Sequence, residues 1–245
     1  MVKKRCINGE SNACKEIKYG LFVDVEGRQA AQAARRITSD MHFEADHIYH
    51  VYNRGNNRAT IFFSKKNYLY FLQKVRNEWL IYCDIYCYCL MPNHFHFMLQ
   101  PKKEGCDLIV LKEKTTHLQK FAKAIGKTLS SYTQAINIQN DTTGNLFQKK
   151  TKAKCLSEQS LIEPSFSIKD YLTNCFFYIH NNPLAGNITK NLEQWPYSSW
   201  PDYYGFRNGT LCNMHQAMQR IGFSKVDFKK TMYKEPDKKI ISSLW

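Results

Sequence analysis

No stretch of this chain approaches the ~18 consecutive apolar residues that a membrane-spanning helix needs, so none is expected. The basic N-terminus, Met1 to Cys6, also lacks the apolar run of a secretory signal. No Cys-x-x-Cys pair occurs among the nine cysteines. Their odd number and irregular spacing argue against a disulfide framework and fit reduced thiols in a cytoplasmic protein. Cys83, Cys87 and Cys89 lie in an aromatic, strand-like run, where small buried residues explain them better than a zinc site does. Internal repeats and low-complexity tracts are absent as well. Acidic residues are in short supply: 21 Asp and Glu face 35 Lys and Arg, a net charge of +14. So basic a balance points to a polyanionic partner, most often nucleic acid, near the nucleoid in a cytoplasmic protein. What is abundant is apolar surface, 43% of residues with 14% aromatic. That composition argues for a folded chain of one well-buried domain with appendages, or two small ones.

Residues 1–40 are rich in Ala, Lys and Arg and show no strand alternation. They read as an N-terminal extension outside the fold, with a helical turn or two between Gln29 and Ile37, and Met41 begins the folded part. The alternation from His47 to Asn53 predicts a strand, broken at Arg54–Arg58 by turn residues and two guanidinium groups. Ser64 is placed to cap a helix over 65–80, with Tyr68, Phe71, Leu72 and Val75 on its apolar stripe. Strands are expected over 84–91 and 94–100, punctuated by Pro92-Asn93, as hairpin partners in the centre of a sheet. A helix over about 115–138 would bury Leu118, Phe121, Ala122, Ile125, Leu129, Tyr132 and Ile136, with Lys120, Lys123 and Lys127 on another side. After the turn at 140–144, residues 145–155 read as an edge strand with an arm carrying four lysines. Such lysines suit a nucleic-acid backbone, and they equally suit the protection of an edge strand. A helix over 168–181 with Ile168, Leu172, Cys175 and Ile179 buried would end at Asn182-Pro183. An aromatic loop at 195–200, a short helix over about 211–221 and a Lys-rich, mobile tail complete the chain. The element order implies an α+β fold, a ferredoxin-like split βαβ sandwich with helices on one face of an antiparallel sheet and extensions at both ends. The domain spans 41–205, and a helical extension with a basic tail occupies 206–245.

The chemistry-bearing residues are few. His94 and His96 flank Phe95 on a strand, so both imidazoles point to one side, where they suit a divalent metal. Tyr178 and Asn182 are four apart on a helix and stack on a shared side at the border of its buried stripe. A tyrosine there is a candidate nucleophile, and the amide is a candidate third oxygen ligand for a metal held by two imidazoles.

Four segments carry a family resemblance: Tyr49-His50-Val51-Tyr52-Asn53-Arg54-Gly55-Asn56-Asn57-Arg58, Leu90-Met91-Pro92-Asn93-His94-Phe95-His96, Tyr178 to Gly186, and Trp195-Pro196-Tyr197-Ser198-Ser199. In this order, over about Met41 to Trp200, the chain resembles the single-tyrosine HUH transposases, above all the REP-associated tyrosine transposases and related insertion-sequence proteins. The resemblance implies a ferredoxin-like domain that cuts and rejoins single-stranded DNA beside a hairpin through a 5′-phosphotyrosine. By position it implies Tyr178 as the nucleophile and His94, His96 and Asn182 as ligands of Mg²⁺ or Mn²⁺. Phe95 stands where the family name places a U, within its bulky-hydrophobic tolerance. Arg54, Arg58, Lys149, Lys150 and Lys152 are the expected phosphate contacts. The family includes monomers and swapped homodimers, and both stay open here. The competing expectation is a non-catalytic nucleic-acid-binding domain of the same architecture, which would need neither the histidine pair nor the Tyr178–Asn182 pair. A metal-dependent nuclease using activated water is a further alternative.

Overall fold

A computed structural model describes residues 41–111, 114–231 and 236–243; the expected N-terminal extension, with its helical turn at Gln29–Ile37, lies outside them. Three strands, β1 (Tyr49–Arg54), β2 (Cys83–Met91) and β3 (His94–Pro101), are joined by a helix α1 (Lys65–Trp79) between the first two. A two-stranded hairpin, β4 (Leu108–Leu111) and β5 (Lys114–Gln119), then leads into α2 (Lys120–Asn140), and β6 (Lys152–Cys155) follows. The main sheet has the order β2-β3-β1-β6, antiparallel throughout. With α1 and α2 on one face this is the expected α+β, ferredoxin-like split βαβ sandwich.

Period-two alternation decides which residues enter this first core. Val51 of β1, Tyr88 and Leu90 of β2, and Phe95, Phe97 and Leu99 of β3 meet Phe71, Val75 and Trp79 of α1 and Phe121, Ile125 and Tyr132 of α2. Trp79 is fully buried, donates from Nε1 to Thr128 Oγ1 at 3.0 Å, and packs edge-on against Phe97. Ser64 caps α1 as expected, its backbone N–H donating to Asn67 Oδ1 at 3.0 Å.

The sheet is covered on both faces, not one. A third long helix, α3 (Ile168–Ala185), packs on the opposite side. Leu172, Cys175, Phe176 and Ile179 of α3 bury Cys87, Cys89 and Met91 of β2 and Met98 of β3. A bulge between Ile85 and Cys87 turns Tyr86 to this second side as well. β2 is therefore apolar on both faces, the mark of a strand covered twice.

Several further expectations are revised. β2 is a sheet edge, not a central strand, and the 197–199 segment closes it. Leu90 N–H donates to the Tyr197 carbonyl at 2.9 Å, and Ser199 N–H to the Tyr88 carbonyl at 3.0 Å. Residues 114–119 extend as β5 instead of opening α2, and Gln119 at the junction exchanges hydrogen bonds of 2.7 Å with the Phe43 backbone. Lys120 and Lys127 of α2 are engaged by Asp107 and Glu78 at 2.9 and 2.8 Å. Of residues 145–155 only Lys152–Cys155 form a strand; Phe147 makes an isolated bridge to Gly55. Gly55 is required there, because a Cβ would stand 2.1 Å from the Ala59 carbonyl oxygen. α3 runs through Pro183 to Ala185: proline forfeits one bond near the helix end, and Gly186 N–H still reaches the Asn182 carbonyl.

Past the turn α4 (Trp200–Tyr204), the described C-terminal residues form α5 (Met214–Ile221), α6 (Lys225–Thr231) and α7 (Lys238–Ser243). They are docked and not trailing. Ala217, Ile221, Phe228 and Ile240 enter the second core, and Ser243 bonds Tyr171 of α3 and Lys154 of β6. No helix among the described residues is long and apolar enough to cross a membrane.

One buried histidine ties α3 to the closed edge. His180 Nε2 lies 2.8 Å from Ser199 Oγ, which also accepts the Tyr88 N–H at 2.9 Å. Burial lowers the His180 pKa from 6.5 to about 3. Between those two values the unfolded chain binds the proton and the fold does not, so stability falls as pH drops from about 6.5 towards 3. Thermal unfolding followed by circular dichroism should show this slope, and His180→Gln should make it shallower.

Candidate active site

The register of β1 against β3 sets the site. Tyr52 pairs with His96 and Arg54 with His94, so the even-numbered side chains of both strands share the face that α3 covers. His96 and His50 are fully buried there, and His94 sits at the rim. The His94 and His96 rings are 5.0 Å apart at 87°. Tyr178 of α3 packs edge-on against both His96 and His50, at 5.7 and 6.3 Å between centroids. The expected nucleophile and the expected imidazoles thus meet within one chain, together with Asn182.

Two amide orientations determine what His94 presents. Asn93 Nδ2 donates to the Arg58 carbonyl at 3.2 Å, which turns Asn93 Oδ1 to His94 Nδ1 at 2.6 Å. His94 Nδ1 therefore carries the proton, and its Nε2 is a lone pair. Asn182 Nδ2 donates to the Tyr178 carbonyl at 2.9 Å, leaving Oδ1 facing His94 Nε2 at 3.5 Å. Two acceptors oppose each other with no proton between them. Such a donor set suits a cation, and the residues fit a divalent metal on that ground.

Burial governs the protonation states. It lowers the His94 pKa below its ordinary value, against the opposing Asn182 contact, and lowers His96 much further, helped by the neighbouring His50 and His94. Both imidazoles are neutral at pH 7. Burial also pushes the Tyr178 phenol well up, with a hydrogen bond to the Asn182 side chain pulling the other way. Tyr178 rests as a neutral phenol.

In front of the histidines lies a cavity of about 240 Å³ lined by Tyr52, Asn53, Arg54, His94, His96, Gln148, Lys150 and Lys152. Three of the five expected phosphate contacts, Arg54, Lys150 and Lys152, are therefore at the site. Arg58 and Lys149 are exposed and outside its lining; Arg58 contributes through its carbonyl, held in a left-handed backbone (φ 60°) where it meets Asn93. The lysine segment reaches the cavity because Asn53 Nδ2 binds Thr151 Oγ1 at 2.9 Å and Gln148 N–H binds the Arg54 carbonyl at 2.8 Å.

Four further residues adjoin these side chains: His50 and Tyr52 beside His96, Asn93 beside His94, and His180 on the helix of Tyr178. His50, Asn93, Tyr52 and His180 all lie inside the segments quoted above, and the alternation His50-x-Tyr52-x-Arg54 marks one face of β1. Among the described residues a further donor set, His47, Cys155 and Glu158, has ligand atoms within 4.8 Å of one another. It lies at the other end of β1, partly exposed, and His47 Nδ1 is already 3.3 Å from the Ala45 carbonyl.

No family model and no curated protein matches the chain. Among solved structures, a REP-associated tyrosine transposase bound to a REP hairpin aligns over 71% of this chain and 87% of its own, with 16% identity and a TM-score of 0.45.

Proposed function

We propose that this protein cuts and rejoins single-stranded DNA beside hairpins, with Tyr178 as the nucleophile and His94, His96 and Asn182 as ligands of a divalent cation. The observation that carries this proposal is the opposition of His94 Nε2 and Asn182 Oδ1 at 3.5 Å, beside a tyrosine packed on His96, over a basic cavity. A binding module would use the cavity and its lysines. It would have no need of two acceptors facing each other at a tyrosine. Residues 41–205 would be the catalytic domain, with the docked C-terminal helices holding α3 from behind.

In this mechanism Arg54, Lys150 and Lys152 hold the backbone phosphates, and Tyr52 offers a ring to an unpaired base. A bound cation would polarise the scissile phosphate as a Lewis acid, and the imidazole ligands favour Mn²⁺ over the harder Mg²⁺. Tyr178 Oη attacks phosphorus: the Oη–P bond forms, the P–O3′ bond breaks, and the phenolic proton is lost as the departing 3′ oxygen takes one up. Asn182 anchors the tyrosine through its bond to the Tyr178 carbonyl and a contact to the phenol. The phosphotyrosine retains the energy of the phosphodiester, so another 3′-hydroxyl reverses the step without a nucleotide cofactor.

Incubating the protein with labelled hairpin oligonucleotides and Mn²⁺ should give a covalent protein–DNA adduct on a denaturing gel, abolished by EDTA. Tyr178→Phe should remove the adduct while leaving DNA binding within about threefold; an adduct formed by that variant excludes the assignment, and cleavage with no adduct in the wild type would indicate activated water instead. Fluorescence anisotropy against salt tests the cavity. Lys150→Ala with Lys152→Ala should flatten the slope of log K on log salt by about 1.4, at ~0.7 per contact on a single strand. Lys149→Ala should leave the slope unchanged.

A further inference from the structure

His50 takes no part in the mechanism above, yet it is fully buried on β1 with its Nε2 2.8 Å from Nδ1 of His96. The two rings lie 5.1 Å apart with 21° between their planes. Its other nitrogen, Nδ1, is buried with no hydrogen-bond partner among the described residues. A buried polar atom left in that condition costs free energy, and an apolar side chain at this position would avoid the penalty. Packing alone therefore does not account for a histidine here.

Two neutral imidazoles sharing one hydrogen bond have two arrangements. If His50 Nε2–H donates, His96 accepts at Nδ1, its proton sits on Nε2, and it offers no lone pair to a cation. If His96 Nδ1–H donates, His50 accepts, and His96 Nε2 keeps its lone pair. In the second arrangement His96 has the same tautomer that Asn93 imposes on His94, and both imidazoles become ligands together. We infer that His50 is a positioning residue: it accepts the Nδ1–H of His96 and so holds His96 with its Nε2 lone pair available to the cation.

This inference rests on the proposed metal site and adds its supporting contact. Metal-binding histidines commonly donate their second N–H to a carboxylate, a carbonyl or water, which fixes the ring and strengthens it as a base. Here an imidazole fills that place. Because β1 and β3 are adjacent central strands, the contact between His50 and His96 is built into the sheet and needs no loop to form.

The test reads the tautomer and metal affinity, not turnover. Two-bond ¹H–¹⁵N correlation spectra of the metal-free protein, labelled at histidine, should show His96 protonated at Nδ1 and bare at Nε2. Removing the acceptor with His50→Leu should shift His96 towards the other tautomer and weaken Mn²⁺ binding, followed by electron paramagnetic resonance, by about 10- to 100-fold. His50→Gln, whose Oε1 can accept the same proton, should restore most of both; a role in packing alone would not separate these two variants. A wild-type His96 protonated at Nε2, or equal Mn²⁺ affinity in wild type and His50→Leu, overturns the inference. Should His50→Leu fail to fold, the wild-type tautomer and the His50→Gln affinity decide it. Absence of Mn²⁺ binding in the wild type would instead remove the metal site itself, whatever tautomer His96 adopts.

Discussion

Antiparallel pairing of β1 with β3, in the register that sets Tyr52 against His96, is the constraint on which the site depends. Because side chains alternate along each strand, one register puts His50, Tyr52, Arg54, His94 and His96 on a single face and sends Val51, Phe95 and Phe97 to the other. A slip of one residue would exchange the two sets, burying guanidinium and imidazole among phenylalanines. The aromatic core beneath α1 and α2 thus enforces the polar geometry above it. Fixing the site costs no separate framework, since the same ladder holds both faces.

The second face needs its own cover, and α3 supplies it. What makes this helix part of the site is how its position is held. Apolar contacts to β2 set its height, while His180, through Ser199 and the Tyr88 backbone, sets its place along the sheet edge. Tyr178 and Asn182 lie within two residues of that anchor on either side. The C-terminal helices press on α3 from behind through Phe228 and Ile240, so the tail contributes to positioning although it is remote from the cavity.

Much of the fold was legible from residue patterns. Strands β1 to β3 and helix α1 followed from alternation, capping and helical spacing, and their order implied the ferredoxin-like class. The misplacements have identifiable causes. The apolar run of β2 suggests a central strand, but that character comes from cover on both faces, and its edge is closed by a loop over 100 residues away in sequence. The β-hairpin before α2 was hidden because Leu118 keeps helical spacing with the true helix that follows. Pro183 suggested a stop, yet the bond it forfeits falls in the last turn, where the loss is small. As for the site, the His-x-His and Tyr-x-x-x-Asn pairs were visible as local spacings. His50 and Asn93 were not, since a supporting contact is defined by what lies across the sheet and not by neighbours in sequence.

By itself the sequence determined the inventory: a basic chain with two co-facial imidazoles on one strand, a tyrosine and an amide one turn apart on a helix, and a lysine-rich arm. These are consequences of covalent spacing and of the 2.0 and 3.6 residue periods, which need no partner element. The tertiary structure alone decided that the helix lies over the strands in the same chain, that Asn182 faces His94 across 3.5 Å, and that Lys150 and Lys152 reach the cavity while Lys149 does not. It also decided the tautomer of His94, because that proton is placed by an amide whose own orientation depends on a carbonyl 35 residues earlier. Such facts arise from packing between distant segments, and no local pattern encodes them.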